Sequence, residues 1–187
     1  MPDVDPQLLD VLSEMLAVEQ DGTRLYSESV VDAPENLRPK LLEYAEQSRR
    51  GCLVLEEAIR RLGGDPVRVS NGAQMAHRLT DAVLAATESG GPRRWIYRLL
   101  HIVAFETRDG MIWDALDALA DKAGGTTGEV LHTAATAVLS EEALGAHMAD
   151  RNDERIAWAL EAMEAELGRE LGVRMPHGRR HGLHRPR

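Results

Sequence analysis

The chain has 187 residues, 43% of them hydrophobic, which makes one ordinary domain with enough apolar material for a sizeable core. A net charge of −9 excludes a nucleic-acid-coating surface over its body, and the single cysteine, Cys52, excludes an intrachain disulfide or a multi-cysteine metal knuckle. No apolar run is long enough to span a bilayer and no charged-then-apolar leader occupies Met1 to Asp5, so no membrane association and a cytoplasmic location are expected.

In chain order, the first helix is predicted from about Asp5 to Val31, with Asp3 or Asp5 as its cap and Pro6 in its first turn. At about 100° per residue, Leu8, Leu12, Met15, Leu16, Thr23, Tyr26 and Val30 all fall within roughly 60° of Glu19, so a carboxylate is aimed at the core. Pro34 ends the gap and Glu35 or Asn36 opens a second helix, whose apolar face reads Leu37, Leu41, Tyr44, Ser48, Cys52, Leu55, Ile59 and Leu62. Gly63-Gly64-Asp65-Pro66 stops it. A long connection from Val67 to Gly91 follows, with a shorter amphipathic piece from about Gly72 to Glu88 built on Met75, Leu79, Val83 and Leu84.

A third long helix is predicted from about Arg93 to Lys122. It repeats the first: Glu106 shares its face with Leu99, Ile102, Val103 and Trp113, and in both copies an Ala precedes the Glu by two and an aromatic follows it by seven. Gly124-Gly125 turns the chain into a fourth helix, about Thr127 to Leu171, with Val130, Ala134, Ala137, Val138, Glu141, Leu144, Gly145 and Met148 on one stripe. No segment alternates with period two, so essentially no sheet is expected. Short turns make each helix pair antiparallel and the long connection crosses the bundle. Residues 172 to 187 carry five Arg and no acid and are rich in Gly and Pro, a tail expected to be disordered. The tail leaves open a flexible solubilising end, an arm for nucleic acid or an acidic partner, and loose metal capture by His177, His181 and His184.

The paired Glu-plus-aromatic helices, the duplicated hairpin and Leu55-Glu56-Glu57-Ala58-Ile59-Arg60-Arg61-Leu62-Gly63-Gly64-Asp65-Pro66 together resemble the ferritin-like superfamily, closest to rubrerythrin-like and small bacterial stress-related members. The resemblance covers about Leu8 to Leu167 and implies an all-α, ferritin-like four-helix bundle of two antiparallel hairpins joined by a crossover with a short helix. It also implies a dinuclear metal centre with one Glu from each of the first and third helices and a Glu-x-x-His pair from each of the others. Glu19 and Glu106 match the single positions. On the second helix the pair falls at Ser48 and Gly51, which offer a hydroxyl and nothing, so an intact centre is not expected. On the fourth, one alignment keeps His147 and another places Glu141 inward, with Asp109 a further carboxylate near Glu106.

Core carboxylates left ionised without a counter-charge would cost several kcal/mol each. A metal ion, protonation of one carboxylate, or an internal Arg or Lys would relieve them, and Arg24, Arg49 and Arg108 lie nearby in sequence. Cys52 reads as a small buried hydrophobe, Tyr26 and Trp113 as core aromatics or, as the resemblance implies, electron relays beside a metal, His101 and His132 as solvent-facing, and Gly22 and Gly110 either as sites of close helix approach or as room for a small ligand. No Ser, Cys or Thr has a His and an acid at a spacing that supports nucleophilic catalysis. Two functions remain open. One is a ferritin-like protein with an incomplete di-metal centre that binds one iron or manganese ion through Glu19, Glu106, Glu141 and His147. The other is a non-catalytic helical bundle for assembly or partner binding that has lost metal chemistry. A homodimer through an exposed helix face is expected in either.

Overall fold

The computed structural model describes residues 4–88, 91–138 and 148–172, without side chains at Pro92 and at 148–151. They form α1 (Pro6–Val30), α2 (Arg38–Arg61), α3 (Asn71–Glu88), a single 3₁₀ turn (Gly91–Arg93), α4 (Arg94–Ala123), α5 (Gly125–Ala137) and α6 (Met148–Leu171). Among the described residues there is no strand, and no helix is long and apolar enough to cross a membrane. The all-α expectation therefore holds. The basic tail beyond Gly172, and the roles expected of His177, His181 and His184, lie outside the described residues.

Local signals account for most boundaries. Asp5 caps α1 by accepting the Gln7 N–H at 2.9 Å, and Pro6 occupies the first turn without losing a hydrogen bond. α2 opens at Arg38, later than Glu35 or Asn36, because the chain first closes a turn from the Leu37 N–H to the Pro34 carbonyl at 2.9 Å. It ends at a positive-φ Gly63, with the Gly64 N–H returning to the Ile59 carbonyl. The crossover piece is α3. The span expected for the fourth helix is described in two parts, α5 to Ala137 and α6 from Met148, and residues 139–147 lie outside the described residues.

Side-chain contacts set the helix directions. Trp113 reaches Glu19 while Tyr26 reaches Glu106, so α1 and α4 run antiparallel. Gln47 meets Arg155 and the Tyr44 ring meets Trp158, so α2 and α6 do too. Arg93–Glu170 and Glu106–Asn152 contacts make α4 and α6 antiparallel. α1 and α6 thus run one way and α2 and α4 the other, and α3, packed against α1 and α4, carries the chain back along the bundle. Two apolar clusters result. One holds Tyr44, Leu41, Trp95, Leu99, Ile102 and Ala159; the other holds Leu12, Leu16, Leu55, Ile59, Leu116 and Leu131. Between them lies a layer of buried polar side chains.

Candidate functional site

That layer is built from four helices. α1 contributes Glu19, α2 Ser48 and Gly51, α4 Glu106 and Asp109, and α6 Asn152 and Arg155; each of these side chains or backbones is buried. Periodicity explains the placement of the first five, because each stands where its helix would otherwise present an apolar residue.

The two repeated halves bridge one another. Tyr26 on α1 donates its hydroxyl proton to Glu106 Oε1 at 2.5 Å, and Trp113 on α4 donates its indole N–H to Glu19 Oε1 at 3.0 Å. Each aromatic thus serves the carboxylate of the other helix, and an i, i+7 offset in antiparallel helices produces this crossing twice. Both aromatics are core residues as expected, with polar ends committed to the layer. Burial, followed by the adjacent Glu106 charge, pushes the Tyr26 hydroxyl well above its ordinary range, so it stays a proton donor.

Glu106 is held from α6 as well. Arg155 Nη1 donates to its Oε1 at 2.9 Å and to its Oε2 at 3.1 Å, while Asn152 Nδ2 donates to Oε2 at 3.0 Å, to the Glu106 carbonyl at 2.9 Å and to Asp109 Oδ2 at 3.0 Å. The other side of the Arg155 guanidinium is taken up by Gln47 Oε1, 2.8 Å from Nη2 and 3.2 Å from Nε. The guanidinium also stands 5.2 Å from the Tyr44 ring centre and 5.9 Å from that of Tyr26. Arg155 is 1% exposed. Burial alone would lower its pKa, but Glu106, Tyr26, Glu19 and Asp109 together raise it, so the cation is permanent.

The internal cation is therefore neither Arg24, Arg49 nor Arg108. Arg24 pairs with Asp81 and Glu28, and Arg49 with Glu46, all at the surface, while Arg108 is half-buried on α4. Glu141 and His147, the two expected ligands of the fourth helix, lie outside the described residues. Sequence reasoning missed Asn152 and Arg155: both lie on α6, a helix separate from α5, so the α5 stripe fixes no phase for them.

The positions aligned with second-helix ligands are occupied in a way that explains their residue types. A Cβ on Gly51 would lie 2.5 Å from Glu19 Cδ, and one on Gly22 would lie 2.9 Å from Ser48 Oγ and from Phe105. Gly22 does permit close helix approach. Gly110 has more room, with the nearest atom, Asn152 Cβ, 3.5 Å from such a Cβ. Ser48 Oγ and Asn152 Oδ1 are buried without a hydrogen-bond partner among the described residues.

His132 is exposed as expected, whereas His101 is half-buried and its imidazole pKa is lowered by burial and by Arg108. A separate buried acid, Asp21, holds His77 Nδ1 at 2.8 Å on the α3 side of α1. Cys52 is half-buried against the second apolar cluster, and burial together with Glu19 pushes its thiol up to about 12. At pH 8 its thiolate population falls about 1000-fold below that of an ordinary cysteine, so its reaction with a colorimetric disulfide reagent should slow by that order and recover in denaturant. Rapid labelling of the folded protein would contradict this environment.

No group of three or more His, Cys, Asp or Glu among the described residues is placed to hold a metal ion. The donor chemistry agrees: both oxygens of Glu106 are taken by protein donors, and α2 supplies only a hydroxyl beside a glycine. Comparison of the chain with protein families, with characterised proteins and with solved structures finds no match.

Proposed function

We propose that this protein is a ferritin-like bundle in which a protein cation has taken over the role of the interior metal centre, and that it works as a non-catalytic module for assembly. The observation that carries this reading is Arg155 Nη1 on both oxygens of Glu106. Support for the fold comes from the helix directions, with one long crossover between two antiparallel pairs, and from inward Glu19 and Glu106 on α1 and α4. In this alignment the i, i+3 pairs of the other two helices become Ser48 with Gly51 and Asn152 with Arg155. A guanidinium replaces a divalent ion as counter-charge, and an amide replaces a carboxylate ligand. The described residues do not fit a dinuclear centre.

The test is elemental analysis of protein purified without a histidine tag, together with its thermal melt before and after a strong chelator. Iron and manganese well below one per chain and an unchanged melt are expected. Stoichiometric metal that disappears in Glu106→Gln would overturn the reading and restore the alternative, one ion held by Glu19, Glu106, Glu141 and His147.

A further inference from the structure

Helix α3 is held to the bundle differently from the helix it lies on. Of its five buried residues, Ala73, Ala76, Thr80, Leu84 and Thr87, only Leu84 is a large apolar side chain. Met75 and Leu79, its other long apolar side chains, are 61 and 52% exposed. α1 buries Leu12, Met15, Leu16, Leu25 and Tyr26, so α3 gains much less from burial. The rest of its hold on α1 is polar. Just ahead of α3 the Ser13 hydroxyl donates to the Arg68 carbonyl at 2.8 Å and accepts the Ser70 N–H at 3.2 Å, and Arg68 pairs with Asp10 at 2.7 Å. Within α3, His77 Nδ1 meets Asp21 Oδ1 at 2.8 Å and Asp81 pairs with Arg24. The Arg24 and Asp81 side chains are 39 and 61% exposed, whereas Asp21 is 1% exposed, with its Oδ2 buried and without a hydrogen-bond partner among the described residues.

We propose that α3 is a strap that lifts from α1 as one unit while the rest of the bundle stays folded, with the His77–Asp21 bond as its latch. Both sides of the balance favour a measurable open state. The docked side is weak, because little apolar surface holds the helix and salt screens its exposed ion pair. The open side is relieved, because water reaches the Asp21 oxygen that the docked helix leaves without a donor. An 18-residue helix is marginal on its own in water, so α3 loses its internal hydrogen bonds when it lifts. Ala73, Ala76 and Leu84 belong to the apolar cluster that holds Val18, Leu25 and Phe105, so opening uncovers part of that cluster together with Asp21. The Ser13–Ser70 clasp keeps the entry to the strap in place. The buried polar layer is built from α1, α2, α4 and α6, so the inference does not depend on the metal content of the interior.

The experiment is hydrogen–deuterium exchange of the full untagged chain at fixed pH, read by mass spectrometry on peptides from α1, α3 and α4. Relative to their intrinsic rates, the amides of α3 are expected to exchange about 100-fold faster than the buried stretches of α1 and α4, and to do so along the whole helix. Raising sodium chloride from about 0.05 to 0.5 M should speed α3 roughly two- to fivefold, the share of one exposed ion pair, and leave α1 and α4 unchanged. His77→Ala, which strands the buried Asp21, should speed α3 about tenfold more with unchanged circular dichroism. Exchange of α3 no faster than that of α1 and α4, acceleration confined to its last turn, indifference of α3 to salt, or a His77→Ala effect equal in all three helices would overturn the inference. If His77→Ala does not fold, the salt response and the comparison of segments in the parent decide alone.

Discussion

Arg155→Met is expected to destabilise the protein by about 3–5 kcal/mol, the usual consequence of removing one member of a buried ion pair. The loss has three parts. Glu106 keeps its Tyr26 and Asn152 hydrogen bonds but loses its contacting cation, Gln47 Oε1 loses both of its donors, and the cation stacked near Tyr26 and Tyr44 disappears. Arg155→Lys should recover only part of this, because an ammonium cannot span Glu106 and Gln47 with the geometry of a planar fork. Combining Arg155→Met with Glu106→Leu removes both charges and should recover the part of the loss due to the unpaired carboxylate, while Gln47, Tyr26 and Asn152, which lose partners, keep the double variant below the parent. Urea unfolding followed at 222 nm of the parent, Arg155→Met, Arg155→Lys, Glu106→Leu and the double variant gives the free energies needed. A loss below about 1 kcal/mol for Arg155→Met, or strict additivity in the double variant, would show that the pair does not anchor the layer.

That pair also marks the limit of what local periodicity reveals. Glu19 and Glu106 were legible because each interrupts an otherwise apolar stripe, and Ser48 for the same reason. The crossover helix and the glycine stops follow from turn chemistry and amphipathic spacing. Arg155 is not legible by the same means, because its partner lies 49 residues away in sequence, whereas the arginines adjacent to the carboxylates pair elsewhere or stand off the layer. A guanidinium can be buried wherever enough acceptors converge, and convergence is a property of helix packing rather than of spacing. The crossed aromatic bonds were half visible: the Glu-plus-seven aromatic repeat announced a relation, but only the antiparallel placement of α1 and α4 shows that each aromatic serves the opposite carboxylate.

Two glycines in the same buried layer are expected to respond to alanine with opposite signs. Replacing an interior helical glycine by alanine ordinarily stabilises by about 1 kcal/mol, because the unfolded chain loses freedom that the helix never used. Gly110 meets the condition for that gain: its added methyl would sit 3.5–3.7 Å from Asn152 atoms, ordinary contact distances, so Gly110→Ala should raise stability by about that amount. Gly51 does not meet it. Its methyl would lie 2.5 Å from Glu19 Cδ and 2.6 and 2.8 Å from the two carboxylate oxygens, and Glu19 is held in place by the Trp113 indole. Gly51→Ala must displace the carboxylate and strain that hydrogen bond, an overpacking cost of about 1–3 kcal/mol that exceeds the entropic gain. Pairing Gly51→Ala with Glu19→Ala should remove the penalty, because the clash has a single partner. Chemical denaturation of these three variants and of Glu19→Ala alone checks the signs. A stabilising Gly51→Ala would mean that Glu19 is free to move aside, and the absence of a side chain at that position could no longer be explained by the space the carboxylate occupies.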